Sequence, residues 1–332
     1  MCDTELYRPL TIGKVTVAGN LFLAPLAGYT DVAFRTLAIE GGADLTFTEM
    51  VSVEGLSRRG EKTIALLERS ALEREYAVQL FLSSTDSLDA ALDVLLPYEP
   101  ALIDINAGCP VPKVIKTGAG SAMMHHPALI TEVIAAIKAK TDIPVSVKFR
   151  IGWDMNSQNY LTFAQAALDG GADLLTLHAR TRSQGYAPYA NWQALTALKE
   201  LLVRRGYAVP LLGSGDLFSA EDGVRMLRES GVDGLMFARG AIGNPRIFAE
   251  TKALLAGSEL VQLTRRELQA LILRHLDLMI ASFGEEVATK GMRKHAAAYL
   301  KGIPYTSTIK QALMQARSRK EYQSALSSLV DL

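Results

Sequence analysis

The feature that most constrains the fold is a repeated alternation of short apolar segments with longer helical patterns, running from Leu21 to about Leu255. Short β-branched or apolar runs predict buried strands, and the apolar spacing between them predicts helices that connect parallel strands. The predicted strands are Leu21 to Pro25, Leu45 to Thr48, Tyr76 to Leu82, Leu102 to Asn106, Val145 to Phe149, Leu174 to His178, Val209 to Gly213 and Gly234 to Ala238. Eight strand-helix units favour an α/β fold of the (β/α)8 type, a TIM barrel.

The segments that flank this alternation differ from it. A short predicted hairpin, Leu10 to Ile12 and Val15 to Val17, precedes the first strand and is placed to plug the lower mouth of a barrel. After about Gly257 the strand pattern stops, and amphipathic helical patterns follow, first from Thr264 to Phe283. We therefore predict two domains, a barrel over residues 1–256 and a helical domain over residues 257–332.

The helical segment carries an uneven charge. Every formal charge from residue 290 to residue 320 is positive, in the set Lys290, Arg293, Lys294, Lys301, Lys310, Arg317, Arg319 and Lys320. His295, Tyr299 and Tyr305 are interleaved with these cations. A patch of this kind suits a phosphate backbone.

Composition excludes several other classes of protein. The 332 residues are 49% hydrophobic and 21% charged with a formal net charge of zero, which is typical of a globular protein. No run reaches the ~18–20 apolar residues that span a bilayer, and the charged start does not resemble a signal peptide, so we expect a cytoplasmic protein. Two cysteines, Cys2 and Cys109, argue against a disulfide framework or a cysteine-based metal site. Nothing indicates an obligate protein partner.

Barrel enzymes carry their sites where the strands end, and those positions are strongly polar here. They comprise Pro25, Ala27, Glu49, Met50, Gln79, Asn106, Cys109, Lys148, Arg150, His178, Arg180, Ser214, Asp216, Ala238, Arg239 and Gly240. A single lysine or histidine at a strand end is more often structural, but recurrence at the same end of successive strands favours a site. The small residues at 213–216 and 238–241, with Arg239, offer backbone amides to a phosphate.

Cys109 is the candidate for chemistry. It follows the fourth predicted strand between Gly108 and Pro110 and opens a long loop that reaches His126. Most cysteines in such proteins are small buried hydrophobes, but long loops at the active rim are usually functional. With an unperturbed pKa of about 8.5 the thiol is mostly protonated at neutral pH, so proton donation and nucleophilic attack both remain open.

The motifs together resemble one family, the tRNA dihydrouridine synthases, which are flavin mononucleotide (FMN) enzymes that reduce uridine in tRNA. The resemblance covers nearly the whole chain. It rests on residues 24–31 (APLAGYTD), 48–50 (TEM), 104–110 (DINAGCP), 116–122 (KTGAGSA), 147–150 (VKFR), 178–182 (HARTR), 213–216 (GSGD) and 238–241 (ARGA).

The resemblance implies roles for individual residues. Cys109 would protonate C5 of the uracil while reduced flavin delivers hydride to C6. The flavin ring would be held by Gln79, Lys148 and His178 and packed by Pro25, Leu26 and Ala27. The flavin phosphate would be bound by Ser214, Gly215, Asp216, Ala238 and Arg239. The family uses a nicotinamide, NADPH or NADH, to reduce the flavin.

The resemblance also implies a tRNA-binding surface. The residues that would face the uridine and its neighbouring phosphates are Asn106, Lys113, Lys116, Arg150, Arg180 and Arg182. On the helical domain, the tRNA body would be gripped by residues that include Lys290, Arg293 and Lys294. The sequence departs from the family in two places, since Ser214 stands where asparagine is usual and the pair His125-His126 has no counterpart there.

Two alternatives stay open at this point. A flavin enzyme similar to dihydroorotate dehydrogenase would act on a free pyrimidine, which gives no reason for the basic helical segment. A tRNA-binding protein without chemistry would have no use for the combination of Cys109, Lys148 and His178.

Overall fold

The computed structural model, which describes residues 5–330, contains one curled sheet of nine parallel strands. Its strands are β3 (Leu21–Leu23), β4 (Leu45–Thr46), β5 (Val51–Ser52), β6 (Ala77–Phe81), β7 (Leu102–Ala107), β8 (Val145–Gly152), β9 (Leu174–Thr181), β10 (Leu211–Ser214) and β11 (Gly234–Phe237). The order in the sheet is β4-β3-β11-β10-β9-β8-β7-β6-β5. A parallel bridge between Phe47 and Ala77 joins the β4 end to β6 and closes the ring. The predicted barrel and its eight strands are confirmed, and the two-residue β5 is an addition.

The helices alternate with these strands as predicted. Those of the barrel are α1 (Val32–Glu40), α2 (Val53–Ser57), α3 (Glu61–Ile64), α4 (Leu88–Leu95), α5 (Pro112–Ile115), α6 (Pro127–Lys140), α7 (Tyr160–Asp169), α8 (Gln193–Arg204), α9 (Ala220–Ser230) and α10 (Ile247–Leu255). Short 3₁₀ helices lie at Ala65–Leu67, Leu96–Tyr98, Gly120–His125 and Arg239–Ala241. Ser219 begins α9 with a reciprocal capping box to Asp222, which satisfies two backbone donors at the helix start.

The hairpin before the barrel closes its lower end, as predicted. Strands β1 (Leu10–Ile12) and β2 (Val15–Val17) pair antiparallel. Their buried side chains pack against residues that begin the barrel strands, among them Phe22 and Leu102. The amino ends of the strands are therefore filled by apolar side chains, which leaves the carboxyl ends for a site.

After the barrel, the described part of the chain contains helices and connecting loops but no strand. It forms α11 (Arg265–Phe283), α12 (Glu285–Tyr299), α13 (Ser307–Gln315) and α14 (Arg319–Val330). These helices share one apolar cluster that also includes Ala33 and Leu37 of α1. The helical segment is thus seated on the first barrel helix through buried contacts. No helix within residues 5–330 combines the length and apolarity that a membrane crossing requires.

A buried ion pair fixes the start of the barrel. The Arg35 side chain of α1 is 2% exposed and the Glu73 side chain is fully buried, with 2.7 Å between Nε and Oε1. Glu73 also accepts hydrogen bonds from the Thr46 hydroxyl at 2.6 Å and from the Ser70 backbone N–H at 3.0 Å. The carboxylate therefore links a helix, a strand and a loop.

We expect Glu73→Ala to lower the free energy of unfolding by about 3–5 kcal/mol, because removing one partner leaves the other charge buried without compensation. Urea denaturation followed by tryptophan fluorescence measures this change. The matched control is Glu54→Ala, which removes an exposed partner of Arg58 and should leave the midpoint unchanged. Equal midpoints for the two variants would mean that the buried pair does not stabilise the barrel.

Candidate active site

A cavity of about 410 Å³ opens at the carboxyl ends of the barrel strands. Fifteen residues that the sequence places at a site line it together, namely Pro25, Leu26, Ala27, Met50, Gln79, Asn106, Cys109, Lys148, Arg150, His178, Ser214, Gly215, Asp216, Ala238 and Arg239. They come from eight different strands or the loops that follow them. The closed sheet brings these side chains to one place although they are spread over more than 200 positions of the sequence.

A buried carboxyl group organises the floor of this cavity. Asp104 accepts a hydrogen bond from the Gln79 amide at 2.6 Å and another from the Ser146 hydroxyl at 2.6 Å. Gln79 in turn accepts a hydrogen bond from the Asn106 amide at 2.7 Å. Burial raises the pKa of Asp104 to about 6, although both hydrogen bonds and the charge of Lys148 favour its ionised form. The chain of bonds fixes the orientation of the Gln79 and Asn106 amides.

Asn106 connects that network to the thiol. Its side-chain oxygen accepts the backbone N–H groups of Cys109 at 2.9 Å and of Gly108 at 3.2 Å. Burial raises the pKa of Cys109 above its ordinary value, against the smaller opposing effects of the Val111 N–H group and the nearby cations. The thiol is therefore protonated at neutral pH, which is the state of a proton donor.

The long loop after Cys109 is folded back onto it. The loop contains α5 and a 3₁₀ helix, and Ser121 donates its backbone N–H to the carbonyl of Cys109 at 3.0 Å. Gly120 has φ +62°, and a Cβ there would lie 2.8 Å from the Cys109 carbonyl oxygen. A glycine is therefore needed at this point for the loop to approach the thiol.

Arg150 connects the loop that contains Cys109 to the loop after β9. Its guanidinium donates to the carbonyl of Gly108 at 2.7 Å and to the carbonyls of Thr181 at 2.8 Å and Gly185 at 3.1 Å. Burial lowers the pKa of Arg150 to about 10. These contacts bind the Cys109 loop to the loop after β9, so Arg150 lines the cavity and also holds its rim together.

The interior of the cavity is rich in cations. Burial, helped by the charge of Arg150, lowers the pKa of Lys148 to about 8. Burial and the surrounding cations lower the pKa of His178 well below its usual range, so its imidazole is neutral. The positive groups of the lining are therefore Lys148, Arg150 and Arg239. Burying these charges costs free energy, which an anionic partner would offset. One wall is formed instead by Ala24, Pro25, Leu26, Ala27, Met50 and Met236, and suits the face of a flat ring.

The predicted phosphate end contains an ion-pair network. Asp216, at φ +57°, accepts two hydrogen bonds from Arg180 at 2.7 Å each and one from the Ala190 backbone N–H. Arg239 lies 3.6 Å from the same carboxylate, and its guanidinium carbon lies 4.3 Å from the centre of the Tyr186 ring and 4.9 Å from that of the Phe218 ring. The Asp216 side chain is therefore committed to arginines, which leaves backbone groups and Arg239 for a phosphate.

Arg180 is not among the residues that line the cavity. It is 2% exposed and bonds to Asp216 and to the carbonyl of Pro188 at 2.8 Å. These contacts are internal and hold the loops after β9 and β10 together. That Arg180 also faces a uridine or its phosphates stays a prediction.

Other residues expected at the substrate lie outside the cavity. Lys113 and Lys116 are exposed on α5 and at its end. The Arg182 guanidinium lies 4.6 Å from the centre of the Trp153 ring, and the His125 ring packs 4.5 Å from the same ring. His125, which had no assigned role, therefore packs with the partly buried Trp153 and Arg182 outside the cavity, while His126 is exposed ahead of α6.

The basic residues of α12 do not share one environment. Lys290 forms an exposed pair with Glu286 at 2.7 Å. Arg293 is half-buried and donates to the carbonyl of Ala316 at 3.4 Å, while the Lys294 ammonium bonds to the carbonyl of Gly28 in the barrel. Of the three, Lys290 alone is exposed with its partner on its own helix, whereas Arg293 and Lys294 bond to other parts of the chain.

The charge pattern of residues 290–320 suggested that the interleaved aromatic residues belong to an exposed phosphate-binding patch, and for two of them this is wrong. His295 is fully buried and Tyr299 is 4% exposed, so neither can contact a phosphate backbone. Tyr299 and His275 share a 3.1 Å hydrogen bond, and burial lowers the pKa of His295 to about 2. These rings form the core between α11, α12 and the barrel. Tyr305, in contrast, is 84% exposed.

Sequence reasoning gave no role to several residues in or beneath the cavity. Asp104 is the most important of them: it lies beneath the cavity, hydrogen-bonded to the lining residue Gln79, and its signals were its place in the 104–110 motif and its acidity within an apolar strand. Tyr29, Tyr186 and Phe218 line the cavity. Tyr29 belongs to the 24–31 motif, whereas Tyr186 and Phe218 are aromatic residues of rim loops without a distinguishing spacing, so these two could not be found without the fold.

A comparison with protein families finds the dihydrouridine synthase (Dus) family over residues 22–331. Among curated relatives, a probable tRNA-dihydrouridine synthase of Treponema pallidum is 42% identical over 309 residues, which cover 91% of this chain and 90% of the relative. The tRNA-dihydrouridine synthase B of Pasteurella multocida is 33% identical, covering 97% of this chain and 96% of that protein.

Solved structures share the fold at low identity. Histamine dehydrogenase from Rhizobium sp. 4-9 matches with a TM-score of 0.59 and 16% identity over 83% of this chain, which spans about half (51%) of that longer protein. The structure of TcOYE with pHBA matches with a TM-score of 0.54 and 11% identity, over 75% of this chain and 93% of the other. At such low identity these likenesses concern the fold alone. The family match and the near full-length relatives show that this chain belongs to the dihydrouridine synthase family.

Proposed function

We propose that this protein is a tRNA-dihydrouridine synthase, an oxidoreductase that reduces the C5–C6 double bond of a uridine in tRNA, with FMN as cofactor and NADPH or NADH as reductant. The observation that carries the proposal is the convergence of a protonated thiol, a buried lysine and a neutral histidine on one cavity with an apolar wall. The names of the relatives support the substrate. We expect the protein in the cytoplasm, where it would meet tRNA.

The residues of the cavity fit a flavin. A flat ring against Pro25, Leu26 and Ala27 would present its polar edge to Gln79, Lys148 and His178. A Cβ at Gly215 would lie 3.1 Å from the His178 ring, so the glycine leaves space there. A phosphate would lie by Ser214, Gly215 and the backbone of Asp216, together with Ala238 and Arg239, whose guanidinium is already immobilised by two rings.

A flavin held by these residues and reduced by a nicotinamide would supply hydride for C6 of the uracil. Cys109 gives its proton to C5, and its raised pKa keeps that proton available at neutral pH. Asn106 sets the position of the thiol through the backbone N–H of Cys109. Lys148 and Arg150 hold positive charge beside the pocket where the reacting base enters. A base inside folded RNA must leave its stack to reach such a pocket.

We further propose that residues 1–256 form the FMN-binding domain and residues 257–332 the tRNA-binding domain. Lys290, Lys301, Arg317 and Lys320 are exposed on the helical part and would contact phosphates, and Lys113, Lys116 and Arg182 would do so at the rim. Ala33 and Leu37 of α1 belong to the apolar cluster of the helical part, so deleting that part would expose them. Charge-removing variants therefore test this proposal better than truncation does.

Purification tests the cofactor most simply. We expect a yellow protein with a flavin absorption spectrum that bleaches when NADPH is added without oxygen. A colourless protein that takes up no FMN would rule out the proposal. A yellow protein that turns over free pyrimidines and leaves tRNA unchanged would favour the alternative similar to dihydroorotate dehydrogenase.

The affinity for FMN should depend on pH. In the flavin-free protein, burial lowers the pKa of the Lys148 ammonium to about 8. A bound anionic flavin would raise this pKa. Between about pH 7 and pH 8, above the pKa of about 6 that burial gives Asp104, the lysine is charged before and after binding and the dissociation constant stays flat. Above pH 8 the empty protein loses a proton that binding must restore, so we expect the dissociation constant to rise about tenfold per pH unit. Fluorescence titration of the apoprotein measures it, and a Lys148→Met variant should remove this slope.

A further inference from the structure

Lys294 of α12 is an exposed residue, yet its side chain reaches the barrel. Its ammonium group bonds to the backbone carbonyl of Gly28 and lies 4.9 Å from the centre of the Tyr29 ring. Both partners belong to residues 25–30, the loop after β3, which we call the wall loop. Pro25, Leu26, Ala27 and Tyr29 of this loop line the cavity.

The wall loop is held at Gly28 from two sides. The backbone N–H of Gly28 donates to the Glu49 carboxylate, while its carbonyl accepts from Lys294. Gly28 has φ +77°, a conformation that glycine adopts at little cost and that other residues rarely adopt. Gly28 therefore connects the wall loop to a second barrel loop through its N–H group and to the helical part of the chain through its carbonyl.

The charges around Lys294 are negative. Burial raises the pKa of both Asp31 and Glu49, and the charge of Lys294 acts against that rise at each carboxyl group. An incoming phosphate would meet these two carboxylates beside the ammonium. Lys290, one helical turn earlier, is paired only with the exposed Glu286, which an RNA phosphate can displace.

The residue next to Lys294 makes a second contact with the same loop. His295 is fully buried, and its ring meets the Tyr29 ring edge-on, with 5.4 Å between ring centres. The His295 ring also stacks on the Phe34 ring of α1, with 5.4 Å between ring centres. Two consecutive residues of α12 thus bear on Tyr29, so a movement of this helix is transmitted to the cavity wall.

We propose that Lys294 is a positioning residue that fixes the wall loop against the flavin, and that it does not contact a tRNA phosphate. This inference rests on the proposed function, because it concerns the pocket that would hold the flavin. In it, the helical part of the chain supports that pocket. It reverses the expectation that Lys294 belongs with Lys290 on the tRNA-binding face.

The test uses the full-length protein and three variants, Lys294→Met, Lys294→Arg and Lys290→Met. Hydrogen exchange of the wall loop, measured by mass spectrometry on the flavin-free protein, should be several-fold faster in Lys294→Met and close to wild type in Lys294→Arg and Lys290→Met. Flavin should also dissociate several-fold faster from Lys294→Met alone. Unchanged exchange in Lys294→Met overturns the proposal.

Salt dependence of tRNA binding separates positioning from phosphate contact. Losing one phosphate contact lowers the slope of log K against log salt concentration by about 0.7–0.9. We expect that decrease in Lys290→Met and an unchanged slope in Lys294→Met. A lower slope in Lys294→Met would contradict the claim that it avoids phosphate. If the wild-type protein binds no flavin, the assigned function fails, yet the exchange measurement still decides whether Lys294 holds the loop.

Discussion

Cys109→Ala should reduce the rate of uridine reduction by about 10²–10⁴-fold, which is the contribution of a positioned general acid. The thiol lies at the end of β7, is held by Asn106 and is kept protonated by burial. Removing it takes away the proton for C5 but leaves the groups proposed to hold the flavin and the RNA. Single-turnover mixing of the reduced protein with tRNA measures the step.

The same experiment carries its own controls. Flavin reduction by NADPH and the dissociation constant for tRNA should be unchanged in Cys109→Ala, because neither needs the thiol. Cys2→Ala, which removes the other cysteine of the sequence, should reduce uridine at the normal rate. Normal turnover in Cys109→Ala would exclude the thiol as the proton donor.

Lys148→Met should raise the dissociation constant for FMN by about ten- to a hundredfold. Hydrogen bonds to charged groups contribute about 1.5–3 kcal/mol, and methionine keeps the volume of the side chain while removing its charge. Lys148 lines the cavity beside Arg150 and has its pKa lowered by burial, so it is poised to pair with an anionic ring. Titration of the apoprotein with FMN gives the constant directly.

Lys138→Met is the matched control for this prediction. Lys138 lies on α6 and pairs with Asp173 on the surface, away from the cavity. We expect its FMN affinity to equal that of the wild-type protein. If Lys148→Met retained FMN as tightly as Lys138→Met, the ring would have to lie elsewhere in the cavity.

The barrel could be predicted from the sequence because each of its units has a local signal. Apolar runs of strand length recur eight times, and before three of them a glycine with positive φ, Gly42, Gly171 or Gly231, ends the preceding helix. The ends of β8 and β9 were set too early, at Phe149 and His178, since hydrogen bonding continues to Gly152 and Thr181. Those extensions depend on the pairing of neighbouring strands, which no local pattern reveals.

The members of the site were easier to predict than their partners. Parallel strands place their carboxyl ends together, so Gln79, Lys148 and His178 converge without any knowledge of contacts. Arg180 and Lys294 were assigned to RNA by type and position, yet one is bound to Asp216 and the other to Gly28. Partners separated by 36 and 266 positions are determined by the tertiary structure alone.

The proposed reaction can be tested directly by reducing the protein with NADPH, removing excess nicotinamide, and mixing it without oxygen with tRNA that lacks dihydrouridine. Nuclease digestion and mass spectrometry then locate any change in the RNA. We expect one uridine to gain two hydrogen atoms for each flavin reoxidised, with one of them derived from solvent through Cys109. Flavin that stays reduced while the tRNA remains unmodified, with free pyrimidines reoxidising it instead, would contradict the proposal.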